Sequence, residues 1–373
     1  MSIELDAHRQ FINDGPRVEA LGRAIAAVVR PGHVVIDLAS GTGILGLLAC
    51  RAGAARVYCI EAGAIIGLAR DLARANGFSD RMQFVLAHSS LARLPERADV
   101  LISDQIGQFG FEAGLVETVA DVRTRLLKPG GRIIPERVTL YLAPVEAPGV
   151  RAGLTFWADD PVGFRFTPAR DVAVNSGHRV RLEPGHLLGP GVAGAVLNLP
   201  TIADEPFDCE AVVTATRDGL LDGIGGWFVA DLAEGITMTN APVHTNRIDR
   251  RNVVFPIDEA VPVRAGDALK VSMRVRPSNL LVRWTVEAPN GRRFAHSTFA
   301  GMLIPREDLE RTRPTFVPQL TDRGVARRTV LELCDGRPLQ DIEREVYERH
   351  RDLFDSEAAA HVFVAEVVTR YCV

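Results

Sequence analysis

The spacing of apolar residues changes three times along this chain. Residues 12–30 (INDGPRVEALGRAIAAVVR) carry apolar side chains at helical intervals and predict a helix. From 31 to 143, short β-rich runs alternate with helical ones: HVVIDLA then ILGLLACRAG, RVYCIEA then GAIIGLARDLARANG, MQFVLA, ADVLISD, then EAGLVETVADVRTRLL and GGRIIPE. That alternation predicts a parallel sheet with crossover helices. From about 144 to 305 the helical period fades. Gly- and Pro-punctuated β runs such as AVVTATRDG, IGGWFVADL, RNVVFPI and LKVSMRVRP replace it, and predict an antiparallel barrel or sandwich. Residues 306–323 read as a linker. Residues 324–373 return to helix in GVARRTVLELCDG, RPLQDIEREVYERHRDLF and DSEAAAHVFVAEVVTRYCV. The expected order is an N-terminal helical segment (1–30), an α/β domain (31–143), a β-barrel-like domain (144–305), a linker (306–323) and a small helical module (324–373).

Composition narrows the class. The chain has 373 residues, enough for two or three domains, and is 47% hydrophobic and 24% charged. A formal charge of −4 without clustered bases gives no sign of a nucleic-acid surface. No apolar run reaches membrane-spanning length, and charges occupy the N-terminus where a secretory signal would be apolar. The five cysteines, Cys50, Cys59, Cys209, Cys334 and Cys372, are scattered without CxxC spacing. They read as reduced, mostly buried thiols of a cytoplasmic protein, with no metal or disulfide framework.

Candidate chemistry begins at VVIDLASGTGILG (34–46), a strand, a Gly-rich turn and a helix start. Gly41, Gly43 and Gly46 fit a GxGxxG turn, which serves NAD, FAD and S-adenosylmethionine alike. Glycines there allow positive φ and close backbone approach to a ligand. An acid on the next strand tip can accept protons from two ribose hydroxyls, and Glu61, followed by Ala62, stands there. Asp37 lies just before the turn, where a pyrophosphate would be repelled and a sulfonium or ammonium attracted. With Ala39 and Ser40 completing the ASGTG form, these residues favour S-adenosylmethionine. A tight turn with no ligand is the alternative.

The stretch ISDQIGQFGFE (102–112) places Asp104 and Glu112 at the two ends of a short aromatic loop beyond a buried strand. Asp104 capping the loop and Glu112 opening the next helix is one reading; a pair of catalytic carboxylates is the other.

The run from VVIDLASGTGILGLLACRAG through ADVLISD to LLKPGGRIIPERVTLYLAPVE resembles the protein arginine methyltransferase family. FWADDPVGF (156–164), GGWFVADL (225–232) and ITMTNAPVHTNRIDRRNVVFPI resemble that family's barrel landmarks, so the likeness covers about residues 8–300. It implies a Rossmann-like S-adenosylmethionine-binding domain followed by a barrel-like domain, with S-adenosylhomocysteine as product. Position by position, it implies that Arg17 clamps the cofactor's carboxylate, that His8 and Phe11 cover the cofactor, and that Ser89 and Ser90 fall where adenine is contacted, though the family's acid is missing there. ISDQIGQFGFE becomes the counterpart of the double-glutamate loop, with Asp104 and Glu112 as catalytic residues that grip the acceptor and aim a nitrogen at the methyl. GFRFTPARDVAVNSGHRVRLEPGHLLGPG occupies the place of the dimerisation arm, so a homodimer is expected.

The chain departs from that pattern on the acceptor side. Asp104 is one methylene shorter than the family's glutamate, and Gln105, Ile106 and Gln108 replace aromatic and methionine neighbours. Ile248-Asp249-Arg250 stands in place of threonine-histidine-tryptophan. Gln108, Asp249 and Arg250 are therefore the expected substrate contacts. If Arg250 points inward it repels a guanidinium and attracts a carboxylate or phosphate; otherwise it is a structural partner of Asp14, Asp249 or Glu112. The implied reaction is methyl transfer to a nitrogen of a peptide or small molecule. O-methylation of a carboxylate and a catalytically silent scaffold are the alternatives. The last 50 residues resemble, in their helical half, the winged-helix PqqD-type domains that bind leader peptides; a packing or dimerisation element is the alternative. No nucleic-acid, membrane or metal partner is expected.

Overall fold

The computed structural model describes residues 3–303, 306–311 and 313–372 of the chain. These fall into two compact units, Met1–Met302 and Leu303–Val373.

The first unit opens with two helices, α1 (Ile3–Asn13) and α2 (Gly15–Val28). Asp14 separates them: its side chain accepts the Arg17 backbone N–H, an N-cap that ends one helix and starts the next. Then come β1 (Val34–Leu38), α3 (Ile44–Arg51), β2 (Arg56–Glu61), α4 (Ile66–Ala75), β3 (Met82–Leu86), β4 (Ala98–Ser103), α5 (Leu115–Leu126) and β5 (Leu127–Ile134). The five strands form one sheet in the order β3-β2-β1-β4-β5, every pairing parallel. β1 (VVIDL) is buried throughout, as expected of a central parallel strand covered on both faces. The order reverses at β1, between the outward-running β2–β3 and β4–β5. A crevice opens at the carboxyl ends of the strands at such a switch point.

β6 (Arg137–Val145) starts the antiparallel region, and its register with β10 runs from Arg137 to Val145. The β texture thus begins before residue 144, because Arg137–Val138 already donate and accept across a ladder. The remaining elements of this unit are α6 (Pro148–Phe156), α7 (Thr167–Val174), β7 (His178–Val180), β8 (Val192–Asn198), β9 (Phe207–Thr214), β10 (Gly219–Ala233), β11 (Ile236–Thr239), β12 (Asn252–Val263), β13 (Ala268–Arg276), β14 (Leu281–Glu287) and β15 (Arg293–Ser297). They build a sheet ordered β7-β12-β10-β6-β8, with β11 on β10, and a second ordered β15-β14-β13-β9. β9 and β13 alternate buried and exposed positions, the period-2 pattern of strands with one face on a core.

The 102–112 loop joins the parallel sheet to the core of the antiparallel region. Ile106, Phe109 and Phe111 are at most 2% exposed. The Phe109 ring meets Phe255 at 5.4 Å and Phe111 meets Phe207 at 5.8 Å, both edge-to-face. Space for these rings comes from two glycines: a Cβ on Gly110 would lie 2.2 Å from Leu140, and one on Gly226 would lie 2.7 Å from Phe109. Asn240, fully buried, accepts the Phe228 backbone N–H and donates to the carbonyls of Gln108 and Arg251, tying the loop to two segments of the antiparallel region.

The second unit holds α8 (Arg306–Arg311), α9 (Asp322–Leu333), α10 (Leu339–Arg349) and α11 (Glu357–Tyr371). It has a core of its own, including Val330, Leu333, Ile342, Val346, Phe354 and Phe363. The buried face of α11 is Ala360, Phe363, Val364 and Val367, with Val362 71% exposed. Phe363 and Val367 set the 3–4 spacing that meets α9 and α10. No β-strand, and so no wing, occurs among the described residues of this unit. Cys50, Cys59 and Cys209 are buried, whereas Cys334 is exposed and Cys372 half-buried, with their sulfurs 3.2 Å apart as free thiols. Among the described residues, no helix is long and apolar enough to cross a membrane.

Candidate functional site

The Gly-rich turn between β1 and α3 is shaped for close approach by a ligand. Gly41 and Gly43 have φ of +52° and +74°, and Ala39 sits at +54°, a conformation disfavoured for a residue with a Cβ. A Cβ on Gly41 would lie 2.4 Å from the His8 ring, so His8 closes directly over the turn. Glu61 accepts the backbone N–H groups of Gly41 and Gly63 at 2.9 and 2.8 Å, which fixes its carboxylate at the tip of β2 with Ala62 beside it. Ala87 donates to the Glu61 carbonyl, and the short 3-10 turn Ser89–Leu91 follows. Ser89 is buried; Ser90 is exposed, and its hydroxyl lies 2.8 Å from His88 Nδ1.

Asp37 is completely buried under this turn. Its Oδ2 accepts from the Gly46 N–H at 2.8 Å, while Oδ1 has no partner. Burial drives its pKa up; the Gly46 amide opposes this, Glu61 adds to it, and the carboxyl is pushed up to about 7. The folded protein thus holds this proton more tightly than the unfolded chain does. Its contribution to stability is fully present below the ordinary carboxylate value and is lost as pH rises through about 7, by up to about 4 kcal/mol for a shift of this size. Asp37→Asn should flatten that slope: urea midpoints of the variant should change less than wild-type midpoints between pH 4 and pH 8. Parallel curves for the two proteins would contradict the assignment.

Two cavities meet at Asp104. The first, about 220 Å3, is lined by His8, Phe11, Arg17, Ser40, Gly41 and Leu45 among others, and by Asp104 and Arg250. The second, about 400 Å3, is lined by Phe11, Asp104, Gln108, Arg179, Arg250 and Arg251, with Asp249 at its edge. Asp104 stands at the end of β4 and bonds two guanidinium groups. Arg17 Nε donates to Oδ2 at 2.5 Å and Arg250 Nη2 donates to the same oxygen at 3.1 Å. All three side chains are at most 10% exposed. Burial alone would raise the Asp104 pKa, but Arg250 and then Arg17 outweigh it, so the carboxylate is held below its usual range. Its other oxygen, Oδ1, has no hydrogen-bond partner.

Arg17 is held in place by the Phe11 carbonyl at 2.9 Å and by the Phe11 ring, 5.2 Å from its Cζ. Arg250 also donates to the Gly107 carbonyl at 3.3 Å and lies 5.9 Å from the centre of the Phe228 ring. It therefore faces both cavities, and its carboxylate partner is Asp104 rather than Asp14, Asp249 or Glu112. Asp14 instead accepts the Asp249 backbone N–H at 2.9 Å, while the exposed Asp249 side chain pairs with Arg181.

Glu112 is placed differently from Asp104. Its carboxylate accepts the backbone N–H groups of Gln108, Phe109 and Phe111, the last two at 2.8 and 3.3 Å. It lines a third, mostly apolar cavity of about 160 Å3 with Phe109, Phe111, Phe255 and Arg179, not the two that meet at Asp104. Glu112 also precedes the helix. Gly114, at φ +90°, caps α5, which starts at Leu115. The structure thus brings His8, Phe11, Arg17, Ala39, Ser40, Gly41, Asp104 and Arg250 around one cavity. Gln108, Asp249 and Arg250 border the adjoining one, and Glu112 does not join them. Thr42, Ile44, Leu45, Gln105, Arg179 and Arg251 are added to the walls. Thr42, Ile44 and Leu45 follow from the turn itself. Arg179 had no signal in the sequence: it reaches the cleft only because β7 pairs with Asn252–Val254.

The donor set suits S-adenosylmethionine. Ser40 Oγ and Asp37 Oδ1 are buried without partners beside the turn, Arg17 can meet a carboxylate, and Glu61 is an acceptor-only group at the strand tip. Among the described residues, no group of three or more His, Cys, Asp or Glu is arranged to hold a metal ion.

Residues 20–135 match the family described as ribosomal protein L11 methyltransferase (PrmA). The arginine N(omega)-methyltransferase of Streptomyces achromogenes subsp. streptozoticus is 31% identical over 275 residues, covering 71% of this chain and 75% of that protein. Protein arginine N-methyltransferase 1 of Chlamydomonas reinhardtii is 25% identical over 280 residues, 73% of this chain and 81% of that protein. Among solved structures, the PRMT1 enzyme–prozyme heterotetramer of Trypanosoma brucei with AdoHcy superposes with a TM-score of 0.72 at 19% identity, over 78% of this chain and 96% of that one.

Proposed function

Since the chain belongs to the arginine N-methyltransferase family, we propose that it transfers a methyl group from S-adenosylmethionine to a nitrogen of a small-molecule or peptide acceptor. The observation that carries this is Asp104: an ionised, buried carboxylate where the turn cavity and the cleft meet, with one oxygen fixed by Arg17 and Arg250 and the other without a partner. S-adenosylmethionine supplies an electrophilic methyl when bound. The chain's own residues do the rest. His8 and Phe11 cover the turn, Arg17 binds the cofactor's carboxylate, Glu61 takes the ribose, and Ser89 and Ser90 border the adenine. Asp104 Oδ1 accepts an N–H of the acceptor, fixes the direction of the nitrogen lone pair, and takes the proton released as nitrogen gains the methyl. Positioning of this kind contributes roughly 7–11 kcal/mol to lowering a bimolecular barrier.

The test is S-adenosylhomocysteine release from the full chain with L-arginine and an arginine-rich peptide, with mass spectrometry of the acceptor. Release coupled to an acid- and base-stable methyl mark supports N-methylation. Cofactor binding without release under any acceptor favours a silent scaffold. Arg250 beside Asp104 favours a second reading, O-methylation of a carboxylate, and a methyl mark hydrolysed in mild base would decide for it.

Finer readings of the chain are also proposed here. A homodimer and a cytoplasmic location are among them; the homodimer is supported by the exposed Phe164 of the expected arm and by the exposed Phe156 and Val162 that precede it. Sedimentation as a monomer at micromolar concentration would remove that reading. The separate core of residues 324–373 supports a PqqD-like module that recruits peptide substrates in ribosomal-peptide biosynthesis. Undiminished modification of a full-length precursor after deletion of 324–373 would remove it.

A further inference from the structure

We infer that the acceptor carries a carboxylate, bound by Arg179 and Arg251 at the cleft while its nitrogen meets Asp104 Oδ1. This rests on the N-methyltransferase reading and names its substrate class. The acids of the 400 Å3 cleft are all engaged. Asp14 accepts the Asp249 backbone N–H, Asp249 pairs with Arg181, and Asp104 Oδ2 serves two guanidinium groups. The bases are not all engaged. Arg179 and Arg251 are exposed, and neither guanidinium meets a carboxylate among the described residues.

That imbalance selects among nitrogen acceptors. A plain guanidinium or amine entering the cleft adds a cation beside Arg17 and Arg250, which already share one oxygen. Like charges this close repel, and the repulsion strengthens as water is excluded from around them. Glu112, which could offset the charge, is bound to its own loop amides and lines a different cavity. A carboxylate on the acceptor lowers the ligand's net positive charge by one and gives Arg179 and Arg251 the partner they lack, in the bidentate geometry that guanidinium groups favour. The unpartnered oxygen of Asp104 then orients the nitrogen.

Calorimetry on the full-length protein saturated with S-adenosylhomocysteine tests this with L-arginine against agmatine, which has the same guanidino group and no carboxylate. L-arginine should bind at least tenfold more tightly, and Arg179→Gln/Arg251→Gln should bring its affinity to that of agmatine without changing S-adenosylhomocysteine affinity. Equal affinity for L-arginine and agmatine, binding by neither, or tighter binding of an arginine peptide with an amidated C-terminus overturns the proposal. A tripeptide ending in arginine with a free carboxylate separates the two sources. Its binding assigns the carboxylate to a chain terminus, and its failure beside L-arginine binding assigns it to a free amino acid; the proposal holds in either case. Saturation by S-adenosylhomocysteine is measured first, so a failure of the methyltransferase reading shows there and not in the acceptor titration.

Discussion

Asp104→Asn is expected to lower unfolding free energy by roughly 3–5 kcal/mol and turnover by at least a hundredfold, while S-adenosylhomocysteine still binds. The stability loss follows from burial. Arg17 and Arg250 are at most 10% exposed and share one Asp104 oxygen, so an amide leaves two buried guanidinium groups without a counter-charge. The turnover loss follows from Oδ1, the buried, unpartnered atom proposed to orient the acceptor and take its proton. Cofactor binding should persist, because Arg17 loses a partner and is free to meet the cofactor's carboxylate. Arg250→Met in the same background removes one orphaned charge and should recover part of the stability without restoring turnover. Chemical denaturation, calorimetry and S-adenosylhomocysteine release read the three quantities separately. Unchanged stability with near-wild-type turnover would reject both roles. The pH profile is bound by the same ion pairs: Asp104 is held below its usual range, so an activity limb near neutral pH cannot come from it.

Much of the donor side was legible in the sequence because it depends on local geometry. Positive-φ glycines, a strand running into a turn and an acid one strand later are fixed within about 30 residues, and Gly41, Gly43 and Glu61 stand in the structure where that pattern puts them. The parallel sheet and the antiparallel β region follow from periodicity for the same reason. The acceptor side depends on contacts between distant segments. Arg250 meets Asp104 across 146 positions, and Asn240 meets the Gln108 carbonyl across 132. No spacing rule reports such a pairing. Arg179 illustrates the limit: it is one of several arginines in an arm until the short β7 ladder sets it beside Val253. The start of α5 was misplaced for a local reason. GLVETVADV continues the helical pattern of the preceding residues, but Gly114 adopts a left-handed conformation, and this leaves Glu112 in the turn.

Glu112→Ala separates the two readings of that residue. In the structure its carboxylate holds the backbone N–H groups of Gln108, Phe109 and Phe111, and so sets the loop that carries Gly107, whose carbonyl receives Arg250. Removing the carboxylate leaves these amides without their acceptor. With about 1.5–3 kcal/mol for a hydrogen bond to a charged group, discounted for partial exposure and non-additivity, the expected loss is roughly 2–4 kcal/mol. The loop then releases its hold on the Asp104–Arg250 pair, so acceptor KM should rise along with the fall in kcat. Glu112→Gln keeps one acceptor oxygen for the same amides, and should recover most of the stability and part of the turnover. A carboxylate that gripped the acceptor directly would behave in the opposite way. Its glutamine variant would be as stable as wild type and as inactive as the alanine variant, since an amide retains the shape and loses the charge. Paired unfolding curves and steady-state kinetics for the two variants therefore assign Glu112 either to the loop or to the acceptor.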